Sequence, residues 1–176
     1  KNKFSIQLAY SGGMDSSCLL DILYKIKEEI GFKLFLTYVN YNSSSYSSDV
    51  LEYIKKLPSD ITKIVENVKV ASECNFESKA RDIRYNILKE KSNLYKINYT
   101  FTAHHLNDQI ETLIMKFIDG SDLISMLGIR EKMNNIYRPI LKIEKKQIVD
   151  YVSNNNIPYF EDPTNNILSF RRNKVR

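Results

Sequence analysis

The chain has 176 residues, 43% of them hydrophobic and 27% charged, with a formal net charge of +5. That is enough for one domain with a real core and too little for two, and no apolar run approaches the ~20 residues that cross a bilayer. Two histidines and two distant cysteines, Cys18 and Cys74, with no Cys-x-x-Cys pair, argue against a structural zinc site, while the mild positive balance suits an anionic partner.

Lys1 and Lys3 lead into the alternating run Phe4–Tyr10, which reads as a first strand rather than a leader peptide, so a cytoplasmic or organelle-interior setting is expected. Apolar residues at helical spacing follow over about 15–30, and Gly31 is a fair C-cap. Lys33–Val39 is rich in β-formers and gives a second strand. The polar, serine-dense stretch Asn40–Ser48 reads as a loop, and Val50, Leu51, Ile54 and Leu57 as a short helix closed by Pro58. A third strand is expected over 61–68 and a long helix over about 77–92. The fourth strand, Thr100–Ala103, runs into His104 and His105. Ile110, Leu113, Ile114 and Phe117 then form an i, i+3, i+4, i+7 apolar stripe on a helix ending at Gly120. Ile136–Leu141 is a fifth strand that Pro139 pushes to an edge, and a last helix runs to about Asn154. Alternating strands and helices predict an α/β fold, a parallel five-stranded sheet flanked by helices.

Between the first strand and first helix lies Ser11-Gly12-Gly13-Met14-Asp15-Ser16. A glycine turn entering a helix presents converging N–H groups to an anion such as a phosphate. Asp15 would repel that phosphate unless a divalent metal lay between them. The plain alternative is a helix start with Ser11 or Asp15 as cap.

The segment after the fourth strand, His104-His105-Leu106-Asn107-Asp108-Gln109-Ile110-Glu111-Thr112, puts Asp108 and Glu111 three residues apart on the next helix if Asn107 is its cap. Such a pair can hold an ammonium group or a magnesium ion, or simply suit the helix dipole. Arg81 and Arg84 share a helix face that either neutralises phosphate or is merely solvated. Arg138 lies within the expected fifth strand, and Arg171, Arg172, Lys174 and Arg176 crowd the last six residues, a composition that fits a nucleic-acid backbone. Ligands of open parallel sheets lie beyond the carboxyl ends of the strands, where Ser11–Ser16, the serine-rich loop after the second strand and His104–Glu111 fall.

In this order the clusters Ser-Gly-Gly-x-Asp-Ser, Ala-Arg-x-x-Arg-Tyr, His-His-x-x-Asp-Gln-x-Glu-Thr, Arg-Pro-x-Leu, Glu-Asp-x-x-Asn and Arg-Asn-x-x-Arg resemble the tRNA(Ile)-lysidine synthases over essentially the whole chain. The resemblance implies a Rossmann-like adenine nucleotide alpha hydrolase fold, residues 1–176 forming one ATP pyrophosphatase domain. It implies ATP and Mg2+, a tRNA with a CAU anticodon and free L-lysine as substrates, and a ligase that adenylates the wobble cytidine before the lysine amine displaces AMP. Carried onto this chain, Ser11, Gly12, Gly13, Met14, Asp15, Ser16, Arg81 and His104 would bind ATP. Asp15 would also hold the metal. Asp108 and Glu111 would receive lysine and act with Asp15 in catalysis, and Arg84, Arg138, Arg171, Arg172 and Arg176 would face tRNA.

The chain departs from that pattern in three places. Asn107 stands where relatives carry the first Asp of a pair, Asn40–Ser44 replaces a histidine-bearing turn, and no segment corresponds to the relatives' C-terminal tRNA-selecting domains. A tRNA thiolation enzyme and a non-catalytic RNA- or nucleotide-binding relative are the alternatives. Oligomeric state is open, a homodimer included.

Overall fold

A computed structural model describes residues 3–41, 45–68, 76–120 and 127–161. The elements in chain order are β1 (Phe4–Tyr10), α1 (Met14–Ile30), β2 (Phe32–Asn40), α2 (Ser45–Lys56), β3 (Thr62–Asn67), α3 (Phe76–Leu94), β4 (Tyr99–Phe101), α4 (Leu106–Ile118), β5 (Lys132–Met133), β6 (Ile136–Tyr137) and α5 (Lys145–Asn154). They build a six-stranded sheet in the order β3-β2-β1-β4-β6-β5. Parallel pairing joins β3, β2, β1, β4 and β6, the five parallel strands anticipated, and β5 closes the edge antiparallel to β6.

Two stretches differ from the pattern reading. The last parallel strand stops at Tyr137 instead of Leu141, because Pro139 has no N–H to donate. The chain beyond it coils through turns in which Leu141 donates to Arg138 (3.1 Å) and Ile143 to Ile140 (3.0 Å). The serine-rich loop is shorter than expected, since α2 already begins at Ser45.

The core lies mainly on one face of the sheet. Ile6, Leu8 and Tyr10 of β1 and Leu34, Leu36 and Tyr38 of β2 meet Cys18, Leu19 and Leu23 of α1, Val50 and Ile54 of α2, and Ile148 and Val152 of α5. Side chains alternate along a strand, so Phe35 turns to the other face, where it packs with Ile64 and Ile97. On β1 that second face carries Gln7, fully buried. Its amide donates to Thr37 Oγ1 of β2 (2.7 Å), and its carbonyl oxygen accepts from Thr100 Oγ1 of β4 (3.1 Å). α1 ends where Gly31 takes φ 81° and returns its N–H to the Lys27 carbonyl, as the left-handed cap requires.

Helix α4 is inverted relative to its amphipathic reading. Three of the four stripe residues are exposed, Ile110 48%, Ile114 42% and Phe117 75% accessible, and Leu113 is half-buried, whereas Asp108 and Glu111 are the buried residues. Periodicity identifies the helix and its two faces, and the structure turns the acidic one inward. Among the described residues no helix is long and apolar enough to cross a membrane.

These placements have opposite consequences for stability. Leu36→Ala should lose about 2–5 kcal/mol in urea unfolding, as for other buried leucines. Phe117→Ser, removing a larger apolar group, should stay within about 0.5 kcal/mol because little of it leaves water on folding.

Candidate active site

The sheet order makes β1 the point of reversal: the chain runs outward from it to β2 and β3 on one side, and to β4 and β6 on the other. The loops leaving β1 and β4 therefore diverge in opposite directions and open a crevice at the carboxyl end of the sheet, where ligands of such sheets sit. A separate cleft lined by Lys27, Gly31, Phe32 and Asp60 lies at the amino end of β2, away from these loops.

The first wall is the turn Ser11–Gly13. Ser11 and Ser16 hydroxyls lie 3.0 Å apart, Ser16 Oγ donates to the Gly13 carbonyl (2.9 Å), and the Gly13 N–H reaches Ser11 Oγ (3.3 Å). Gly13 is the N-cap of α1 and offers no side chain to its first turn, which leaves the helix terminus suited to an external anion. The turn is clamped from outside as well. Tyr46 of α2 donates its hydroxyl to the Ser11 carbonyl (2.8 Å), and the Phe160 N–H donates to the Gly12 carbonyl (2.9 Å). Gly12 has φ +86°, and a Cβ built there would fall 2.5 Å from Val50 Cγ2.

Asp15, in the first turn of α1, is the centre of the cluster. Lys145 Nζ, from the first residue of α5, lies 2.5 Å from its Oδ1. His105 Nε2 lies 3.6 Å from its Oδ2 and also 3.6 Å from Asp108 Oδ2. Burial pushes the Asp15 carboxyl up, but hydrogen bonds from His105 and Lys145 outweigh it and hold the group below its ordinary value. Asp15 is thus a carboxylate at neutral pH, flanked by Lys145 and His105.

His105, and not Asn107, is the N-cap of α4, and its N–H donates to Asp108 Oδ2 (2.9 Å). Asn107 instead accepts the backbone N–H of Lys145 (3.1 Å), tying the starts of α4 and α5 together. Asp108 and Glu111, 7% and 8% exposed, occupy the inner side of α4. An i, i+3 pair on one helix face behind the Asp15 cluster is an acidic wall able to receive a cation.

The remaining expected residues distribute unevenly. His104 is half-buried and bonded through Nδ1 to Thr102 Oγ1 (2.9 Å); the histidine meeting Asp15 is its neighbour His105. Arg81 and Arg84 are exposed on α3, Arg81 over the Tyr85 ring and Arg84 over Tyr41 at 5.9 Å. Tyr41 in turn donates to the Ala80 carbonyl, which docks α3 beside the end of β2. Arg138, expected to face tRNA, is 3% exposed and donates from one guanidinium nitrogen to the Arg130 carbonyl (2.5 Å), while its buried Nε has no hydrogen-bond partner. Arg171, Arg172 and Arg176 lie outside the described residues, as does Cys74. Lys145 carried no sequence signal beyond opening a helix after a strand.

The two glycines of the turn make different demands. Gly12→Ala should lose about 2–4 kcal/mol, combining a left-handed backbone with overpacking against Val50. Gly13→Ala, with an ordinary φ and its nearest neighbour at 3.5 Å, should lose no more than about 1 kcal/mol. Urea titration of both variants checks the contrast.

A family model described as a PP-loop domain matches residues 1–176. Among curated proteins the chain is similar to the tRNA(Ile)-lysidine synthase of Treponema denticola, 33% identical over 180 residues, covering 96% of this chain and 39% of that protein. It is likewise similar to those of Pseudothermotoga lettingae (33% identical, 97% and 40% covered) and Clostridium perfringens (34% identical, 100% and 39% covered). The chain spans about two fifths of the length of these relatives. Among solved structures it resembles the U34-tRNA thiolase NcsA from Methanococcus maripaludis with its [4Fe-4S] cluster, at TM-score 0.79, 22% identity, and 99% and 64% coverage. It also resembles the NH3-dependent NAD synthetase from Campylobacter jejuni, at TM-score 0.56, 16% identity, and 92% and 70% coverage. Those two likenesses concern the fold. With a Ser-Gly-Gly-x-Asp-Ser turn at the reversal point of the sheet and a family model matching from end to end, the chain belongs to the PP-loop domain family.

Proposed function

We propose that this domain carries the chemistry of a tRNA(Ile)-lysidine synthase: adenylation of a cytidine in a CAU anticodon by ATP, followed by attack of the lysine ε-amine. The observation that carries the reading is His105 standing 3.6 Å from both Asp15 and Asp108. It supports reading the turn and the acidic pair as parts of a single site. The similarity to three curated enzymes of that name supports the choice of acceptor.

In this reading the turn Ser11–Ser16 and the N-terminus of α1 receive the ATP phosphates. Among the described residues no group of three or more His, Cys, Asp or Glu could hold a metal on its own. A single carboxylate, Asp15, beside a phosphate site still fits magnesium, which takes one or two carboxylates and completes its shell with phosphate oxygens and water. Bound there, it would screen the phosphate charge from Asp15.

The O2 oxygen of the cytosine attacks the α-phosphorus and pyrophosphate leaves. The amine then attacks C2, its surplus protons are lost, and AMP departs with the oxygen. Lysine in water is an ammonium of pKa about 10.4 and cannot attack until it loses a proton. Asp108 and Glu111 bind that ammonium, and either carboxylate can take its proton once the amine is desolvated. Arg84, exposed at the rim, and the basic residues 171, 172 and 176 are assigned to the tRNA backbone, and Arg81 to the phosphates or the same backbone. The anticodon base reaches the crevice by being splayed from a single-stranded loop.

A sulfur-inserting alternative needs a reactive thiolate or cluster ligands. Cys18 is buried on α1, and burial pushes its thiol up to about 11, so it behaves as a core residue.

The test is incubation with radiolabelled lysine, ATP, magnesium and an unmodified CAU-anticodon tRNA. Label should enter the tRNA and should vanish with Asp15→Asn. Pyrophosphate release without lysine incorporation would sink the choice of acceptor. Asp108→Asn should retain pyrophosphate formation while raising KM for lysine about tenfold or more, the scale of a lost hydrogen bond to a charged group.

A further inference from the structure

We propose that Lys145 is a place-holding cation: it neutralises Asp15 while the nucleotide site is empty and transfers its ammonium to the ATP phosphates when a magnesium-nucleotide arrives. The inference rests on the reading of the Ser11–Ser16 turn as an ATP site and names a residue that the family resemblance did not supply.

Three observations carry it. The ammonium is 2.5 Å from Asp15 Oδ1 at a site where both side chains keep about a third of their surface accessible, 36% and 31%. A pair serving only to lock α5 onto α1 has no need to stand at the mouth of a crevice, and half-exposed ion pairs contribute little stability. Helix α5 already has other ties to α1: Ile148 and Val152 share its core, Tyr151 donates to Asp21 (2.8 Å), and Lys25 reaches Asn155 (3.0 Å). Second, the backbone at Lys145 is fixed, because its N–H is held by Asn107 at the start of α4 (3.1 Å). The flexible stem therefore swings from an anchored base, and a lysine stem has the reach to move between neighbouring oxygens. Third, an ammonium and a divalent ion gathered on the one Asp15 carboxylate would repel each other. Were Asp15 to hold such an ion, the Lys145 ammonium would gain by turning to the place where a triphosphate brings new negative charge. Displaced cation and arriving anion are complementary, so the exchange keeps the site near charge balance.

Equilibrium ATP binding, followed by calorimetry with and without magnesium, tests this without reference to turnover. Lys145→Met should weaken magnesium-ATP binding about tenfold or more, whereas Lys145→Arg, which keeps the charge, should stay within about threefold. The decisive comparison uses metal-free ATP in EDTA. Asp15→Asn frees the ammonium, so its affinity for metal-free ATP should rise several-fold over the parent chain, and Asp15→Asn/Lys145→Met should lose that gain. If the gain survives in the double variant, it comes from removing a repulsive carboxylate alone and the proposal is overturned. If Lys145→Met binds magnesium-ATP like the parent while its thermal unfolding is unchanged, the lysine is a surface tie and the proposal is again overturned. Failure of the parent chain to bind magnesium-ATP at all would instead overturn the nucleotide reading beneath it.

Discussion

Everything distinctive about this molecule depends on keeping one carboxylate, Asp15, ionised and partly out of water. A buried anion is costly unless it is paired. Here the partners come from different parts of the chain: Lys145 from the start of α5 and His105 from the cap of α4, with Asp15 itself on α1. Three helix N-termini thus converge on one charge. Burial raises the carboxyl, and the hydrogen bonds and charges of these two side chains outweigh it and hold the group below its ordinary pKa. The same convergence defines a place where a phosphate group would find oriented N–H groups and cations together.

The sheet makes that convergence possible. Because β1 is central and the chain departs from it in both directions, the ends of β1 and β4 lie side by side with nothing threaded between them. Described residues around the turn supply its support. Tyr46 and Val50 of α2 brace the glycine turn, Phe160 closes it from the other side, and Tyr41 fixes α3 alongside. Function sits on the short loops and rigidity on the helices behind them, the usual division of labour in such folds.

Much of this was legible from residue order. The strand, glycine turn and helix at the start gave the element boundaries almost to the residue. Gly31 and Pro139 each acted where their backbone limits dictate. What failed did so for identifiable reasons. Periodicity reports that a helix has two faces, not which one meets the protein. On α4 the carboxylates were drawn inward by the His105 N–H and the Asp15 cluster, leaving Ile110, Ile114 and Phe117 outside. The burial of Arg138 and its bond to the Arg130 carbonyl are tertiary facts that residue order does not carry. Lys145 was invisible because a single lysine in a basic chain carries no information until the fold places it within reach of Asp15. Asn107 illustrates the same limit: the amide at that position serves the start of α5 rather than its own helix cap.

The polar contact across the middle of the sheet has a mechanical consequence. Gln7 reaches Thr37 on one neighbour and Thr100 on the other, all three side chains out of water. Sliding β1 by one residue would swing Gln7 to the leucine-rich face and strand two hydroxyls, at a cost of about 1–3 kcal/mol for each unsatisfied group. Apolar strands alone would tolerate such slippage far better. The seam acts as a gauge that levels the three central strands against one another. The turn leaving β1 and the histidine segment leaving β4 consequently begin at a fixed height difference, and a site assembled from two loops inherits its tolerance from an amide and two hydroxyls buried on the opposite face of the sheet from the main core.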